Sequence, residues 1–286
     1  MLALKLSSKL LEQPRAFLRF LRGGLRGLKF SASKILAGSK YRVDSPEAKT
    51  ILTKLTNTLG RFVEDGDVLL AFGKNAKEMK QIVSDKVIAD TQIVTYSKMG
   101  NLGRVRDGIS PFGVVTWSES GMKIYFPDFF ILHNVREVDE IILHETSHYL
   151  SAWGSDSVRF NKYYSATIGY NPIEEGAVES TARVIAAKHV ARKYDMAYLM
   201  EAQWFDNVVE AIERGQKMRK ISSKFSPRVT AMQYLYTSGL DNLDDILNKG
   251  LTGPNQHVKS FIDQSFYYFD TGKPQKANDL ADSLYR

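Results

Sequence analysis

Apolar and polar positions alternate with two different periods along this chain. In "SPEAKTILTKLTNTLGRFVED" the apolar residues recur at helical spacing behind a Ser-Pro start with Glu47 two residues on, which predicts a helix over about 46–63. "DVLLAFG" is a short continuous apolar run and reads as a buried strand, "NAKEMKQIVSDKVIA" as a second helix and "TQIVTYS" as a second strand. "GVVTW" and "MKIYF" flank the Gly-containing turn "SESG", the pattern of a hairpin. From residue 134 onward no strand pattern recurs. "NVRE" forms a capping box at Asn134 and Glu137 ahead of an apolar-periodic stretch. After a loop of roughly 155–170, helices are expected over "NPIEEGAVESTARVIAAKHVARKY" and at about 196–219, 227–248, 255–269 and 274–285. Ser226-Pro227 and Gly253-Pro254 mark boundaries.

These elements predict an α+β fold. A small mixed lobe over 43–153 ends in strands and a helix, a mainly helical lobe follows over 154–286, and residues 1–42 precede both as a basic amphipathic tail. A chain of 286 residues buries a substantial core, and its 43% hydrophobic and 25% charged residues are ordinary for a globular protein. No apolar run approaches the length of a membrane span.

Charge changes the picture at one end only. Residues 1–42 carry ten Lys or Arg and one acid, Glu12, for +9, whereas the remaining 244 residues carry 29 basic and 31 acidic side chains, for −2. Arg15, Arg19, Arg22, Arg26 and Lys29 follow steps of four and three, a stripe along one side of a helix, with Phe17, Leu18, Leu21, Leu25 and Leu28 mostly on the other. Gly23 and Gly24 weaken the middle of that helix by about 1 kcal/mol each. The segment suits docking on a protein assembly, an anionic membrane or nucleic acid, and it has the look of an organelle transit peptide. A secretory signal is disfavoured because arginines interrupt any apolar core and no A-x-A-like site follows, leaving cytoplasmic, virion-associated and organelle-imported locations open.

Composition narrows the chemistry. With no cysteine, disulfides, thiolate metal sites and cysteine nucleophiles are excluded, so a metal must be held by histidine and carboxylate. Two of the five histidines stand in "EIILHETSHYLSAW", as His144-Glu145-x-x-His148. Residues four apart on a helix lie one turn above each other on one face, so both imidazoles converge on one ion, while Glu145, rotated by about 100°, stands beside the open position. That arrangement suits a zinc-bound water with Glu145 as general base and acid. A third ligand from a later carboxylate is required. Glu174, Glu175 and Glu179 all lie in the next helical segment, with Glu174 also placed for a second capping box opened by Asn171, and Glu175 and Glu179 one turn apart.

With these residues in view, the chain resembles the gluzincin metallopeptidases of the zincin superfamily over about 135–190, without matching any one family. "EEGAVE" matches the Glu-Gly pairing seen at the third ligand in several of them. The resemblance implies a zincin-like fold, Glu175 as the third zinc ligand and Glu179 as the carboxylate that holds an imidazole N–H. It also implies an oxyanion donor, for which Tyr170 is chosen ahead of Tyr163 and Tyr164, and an edge strand that binds extended substrate, for which "MKIYF" is the candidate. The expected activity is zinc-dependent hydrolysis of peptide or protein substrates. The alternative is a structural or assembly protein on the same fold, such as a virion component, anchored by its basic tail and carrying a latent or maturation-only metal site.

Overall fold

The computed structural model describes residues 27–102, 112–118, 121–133, 138–154, 166–167, 170–188, 198–218, 225–233, 235–236 and 261–284. The elements run α1 (Ala32–Ile35), α2 (Pro46–Glu64), α3 (Gly66–Phe72), α4 (Ala76–Ile82) with a π-helical continuation (Val83–Ile88), β1 (Thr91–Val94) and α5 (Tyr96–Leu102). There follow β2 (Val114–Ser118), β3 (Gly121–Pro127), α6 (Asp128–His133) and α7 (Val138–Gly154). The rest is helical: α8 (Pro172–Ala187), α9 (Leu199–Met218), α10 (Pro227–Gln233), α11 (Phe261–Asp270) and α12 (Pro274–Ser283). The fold is thus α+β and mostly helical, with one small mixed sheet among the described residues. Arg15, Arg19, Arg22 and Arg26, the Asn134–Glu137 capping box, Tyr163, Tyr164 and the Gly253-Pro254 boundary lie outside the described residues.

Two compact units share the chain. One comprises Met1–Glu64 and Asn75–Thr146, the other Asp65–Lys74 and Ser147–Arg286, so the division falls inside the single helix α7.

In the first unit, α2 starts where Ser45 Oγ accepts from the Ala48 N–H at 3.1 Å, with Pro46 following, and its apolar face buries Ile51, Leu52, Leu55, Leu59, Phe62 and Val63 completely. The expected hairpin is present, β2 antiparallel to β3 with Ser118 opposite Gly121. β1 joins on the far side of β3, parallel, with Thr91 opposite Ile124. "MKIYF" is therefore the central strand, and the edges among the described residues are β1 and β2. The expectation of an edge at "MKIYF" fails because a parallel partner arriving by a crossover leaves no mark in the local pattern.

Residues 28–38, within the stretch assigned to the basic tail, belong to this unit's core. Leu28, Ala32, Ile35 and Leu36 are buried, and Gly38 bridges Val94 of β1 in parallel, its carbonyl accepting from the Thr95 N–H at 3.0 Å. A Cβ on Gly38 would stand 2.5 Å from Val94 Cγ1, so only glycine fits. Lys29, by contrast, has an exposed side chain, while its N–H donates to Ser84 Oγ at 3.0 Å.

α2 also ties down two later elements. Lys54 Nζ donates to the Ile131 and Leu132 carbonyls at 2.9 and 3.0 Å, capping the last turn of α6. Burial lowers the Lys54 pKa, with Asp139 opposing. Thr58 and Arg61 both bond Asp139 in the first turn of α7, where a carboxylate is favoured by the helix dipole.

In the second unit, "DVLLAFG" is the helix α3 and not the expected strand. Asp65 caps it, its Oδ1 accepting from the Asp67 and Val68 N–H groups at 3.0 and 3.1 Å, and Gly73 closes it at φ 60°. The buried Asp65 carboxylate also takes Lys188 Nζ at 2.8 Å, which reaches Asp67 at 2.6 Å. Trp204 and Phe205 of α9 are fully buried, Trp204 Nε1 donating to Ser265 Oγ of α11 at 3.1 Å. Arg228 of α10 bridges Ser180 of α8 at 2.7 Å and Asp206 of α9 at 2.5 Å. No strand occurs beyond residue 134 among the described residues, as the pattern there implies.

Candidate metal centre

The site is built on α7 and α8. α7 is buried on nearly every side, from Val138, Ile142 and Leu143 to Tyr149 and Leu150, which fixes its rotation about its own axis. The turn that carries the histidines is pinned by Ser147, whose Oγ lies 2.9 Å from the Tyr236 hydroxyl. Tyr236 stacks on Phe72 at 4.7 Å, and burial raises its pKa well above that of a free phenol. The start of α8 is set by Asn171, whose side chain accepts from the Ile173 and Glu174 N–H groups at 3.2 Å each, with Pro172 following. Its first turn thus begins on a defined residue, with Glu174 and Glu175 inside it, where the helix dipole favours negative charge.

Gly176 explains the residue after Glu175. A Cβ there would lie 2.3 Å from the Glu201 backbone oxygen, so the missing side chain lets the first turn of α9 press against α8. The Glu201 side chain accepts from the Tyr170 hydroxyl at 2.6 Å, just ahead of the α8 cap, and Tyr170 packs edge-on against Tyr198 at 5.2 Å.

His148 sits between two carboxylates. Its Nδ1 lies 2.9 Å from Glu174 Oε1 and its Nε2 lies 3.2 Å from Glu175 Oε2. Burial on its own would push this imidazole's pKa down; Glu175 and then Glu174 outweigh it and hold the ring well above its ordinary value. His144 stands one turn earlier on the same helix, 8% exposed, and the ligand atoms of His144, His148 and Glu175 all lie within 4.8 Å of one another. Around a tetrahedral zinc with bonds of about 2.0–2.1 Å, donor atoms are about 3.4 Å apart. The His148–Glu175 separation already matches that edge, and two nitrogens with one oxygen is a donor set zinc accepts.

Glu174 is the residue the sequence reading placed differently. Counted there as part of a capping box, it turns its carboxylate to the far nitrogen of His148, the position of a group that orients a ligand imidazole and raises its basicity. The available signal was its place next to Glu175 in the first turn of α8. Glu179, one turn after Glu175, is also buried, at 4% exposure.

Glu145 has its own support in the first unit. It is 9% exposed, and a Cβ on Gly113 would stand 2.6 Å from its Cγ and 3.0 Å from its Oε1. The backbone just ahead of β2 therefore rests on the stem of this carboxylate. Nothing in the sequence marked Gly113, because the contact joins residues 32 apart. No protein-family model matches this chain, and neither a curated protein nor a solved structure matches it.

Proposed function

We propose that this chain is a zinc-dependent peptidase of gluzincin type on a zincin-like fold, with His144, His148 and Glu175 as ligands. The observation that carries the reading is the His148 ring held between Glu174 and Glu175, with His144 a turn away and all three ligand atoms within 4.8 Å. A zinc ion bound there supplies Lewis acidity and lowers the pKa of a water in its open position to about 7. Glu145 takes the proton at its carboxylate and delivers it to the leaving nitrogen. Glu174 fixes the tautomer and tilt of His148 by accepting from Nδ1, and the buried surroundings of His144 and Glu145 keep both side chains in one orientation. β2, an edge strand that begins beside Glu145, aligns an extended peptide by main-chain hydrogen bonds in this reading.

The test is metal content and peptide hydrolysis measured together. Wild type is expected to hold one zinc per chain and to cleave a peptide, Glu145→Gln to keep the zinc and lose the cleavage, and Glu175→Ala to lose the zinc. Unchanged cleavage by Glu145→Gln removes the mechanism. A purified chain that holds no metal removes the reading altogether and moves the assembly-protein alternative to the front.

A further inference from the structure

Gly113 touches Glu145, and the residue before it is Phe112, whose side chain is 45% exposed. Its ring is not loose: it packs at 4.4 Å and 44° on Phe130 of α6, which is itself 8% exposed. Phe129, next along α6, adds a second half-exposed ring, packed on His133 at 4.5 Å. Single exposed apolar residues are common and need no explanation. Phe112 differs by position, since it stands one residue from the backbone that rests on the candidate general base, at the mouth of the edge strand β2.

We propose that Phe112 is a specificity-determining residue, its open face taking a large apolar or aromatic side chain of the substrate next to the scissile bond. This rests on the peptidase reading above. An extended peptide advances about 3.3–3.6 Å per residue. A chain whose scissile bond faces Glu145 and that runs along β2 therefore brings a flanking side chain, and not a distant one, level with Phe112. Phe130 supplies the rigid backing that lets a half-exposed ring act as a wall, so little side-chain freedom is lost on binding. Covering the open face of one phenyl ring with apolar surface is worth on the order of tenfold or more in kcat/KM.

The experiment compares two quenched fluorescent peptides, Ala-Ala-Phe-Leu-Ala-Ala and Ala-Ala-Ser-Ser-Ala-Ala, with wild type, Phe112→Ala and Phe112→Leu, zinc content being measured in each preparation. Wild type is expected to favour the Phe-Leu peptide by at least about tenfold in kcat/KM. Phe112→Ala, with zinc retained, is expected to bring that ratio close to one, and Phe112→Leu to restore most of it. A wild-type ratio near one, or a ratio that survives Phe112→Ala, overturns this proposal and leaves the peptidase standing. Cleavage of neither peptide by zinc-loaded wild type removes both.

Discussion

Glu174 and Glu175, adjacent in sequence, meet the two opposite nitrogens of one ring, His148, at 2.9 and 3.2 Å. Neighbouring residues on a helix point about 100° apart, so a single imidazole bridges them only if it enters between the two side chains. Each nitrogen of the ring thereby faces one carboxylate, and in the proposed site Nε2 is the one that turns to the metal.

The two glutamates should accordingly fail in different ways. Glu175→Ala removes a ligand and is expected to abolish stoichiometric zinc. Glu174→Ala removes only the partner of Nδ1 and is expected to weaken zinc affinity by about 10–100-fold. Competition with a chromophoric chelator measures both, and equal losses in the two variants would count against separate roles.

The pH dependence of metal uptake follows from the same pair. With its pKa held above the ordinary imidazole value by Glu175 and Glu174, His148 in the metal-free protein keeps its proton to higher pH than a free imidazole does and must lose it to bind zinc. Apparent affinity should therefore rise with pH through neutrality. Calorimetry at pH 7 in buffers of different ionisation enthalpy should register proton release, and an enthalpy independent of buffer would contradict it. For the metal-free fold the sign is opposite. A raised folded pKa contributes stability that is complete below the unfolded value of about 6.5 and is lost as pH rises through the folded one.

Two glycines should respond differently to one methyl group. In Gly113→Ala the new atom meets Glu145 Cγ at 2.6 Å, which forces this buried side chain out of the orientation its surroundings hold, so the expected loss is in kcat, tenfold or more, with zinc content retained. In Gly176→Ala it meets the Glu201 backbone oxygen at 2.3 Å, which cannot yield without shifting α9, so the expected cost is about 1–3 kcal/mol of stability. Thermal unfolding and steady-state kinetics on both variants separate the two effects.

Lys188 should show its contribution at high pH. Burial lowers its pKa, but the hydrogen bonds it donates to Asp65 and Asp67 outweigh this and the net shift is upward. Its stabilising effect is then present below the unfolded lysine value of about 10.4 and lost as pH rises through the folded one. Urea midpoints of wild type and Lys188→Met should differ by a constant amount from pH 7 to about 10 and begin to converge only above the unfolded lysine value; a gap that does not narrow there would mean the effect is packing and not charge.

Truncation from the N-terminus should become strongly destabilising between residues 27 and 39. A chain starting at Gly27 keeps Leu28, Ile35 and Leu36, whereas one starting at Ser39 loses all three, each 4% exposed or less. At about 1.5–3 kcal/mol per buried side chain, that loss rivals the whole stability of a typical domain. Circular dichroism and melting of the two truncations test this, and the same limit applies to any presequence cleavage.

Much of this architecture was legible because its signals are local. The Ser45-Pro46 start of α2, the hairpin around residues 118–121, the cap at Asn171 and the spacing of His144 and His148 each depend on residues within one or two turns. The failures have two causes, one local and one long-range. "DVLLAFG" is a seven-residue apolar run that suits a buried strand or a buried helix equally, and the flanking cap Asp65 and the left-handed Gly73 decided it. The central place of β3, the Gly113–Glu145 contact and the turn of Glu174 toward His148 all depend on partners 26 or more residues away. No period in the chain records such pairings.

The bridge between Gly38 and Val94 covers only the last residue of β1, so among the described residues both β1 and β2 offer a flank to a further strand. On the second flank β2 begins against the Glu145 stem, which makes self-association there a competitor of whatever extended partner that flank receives.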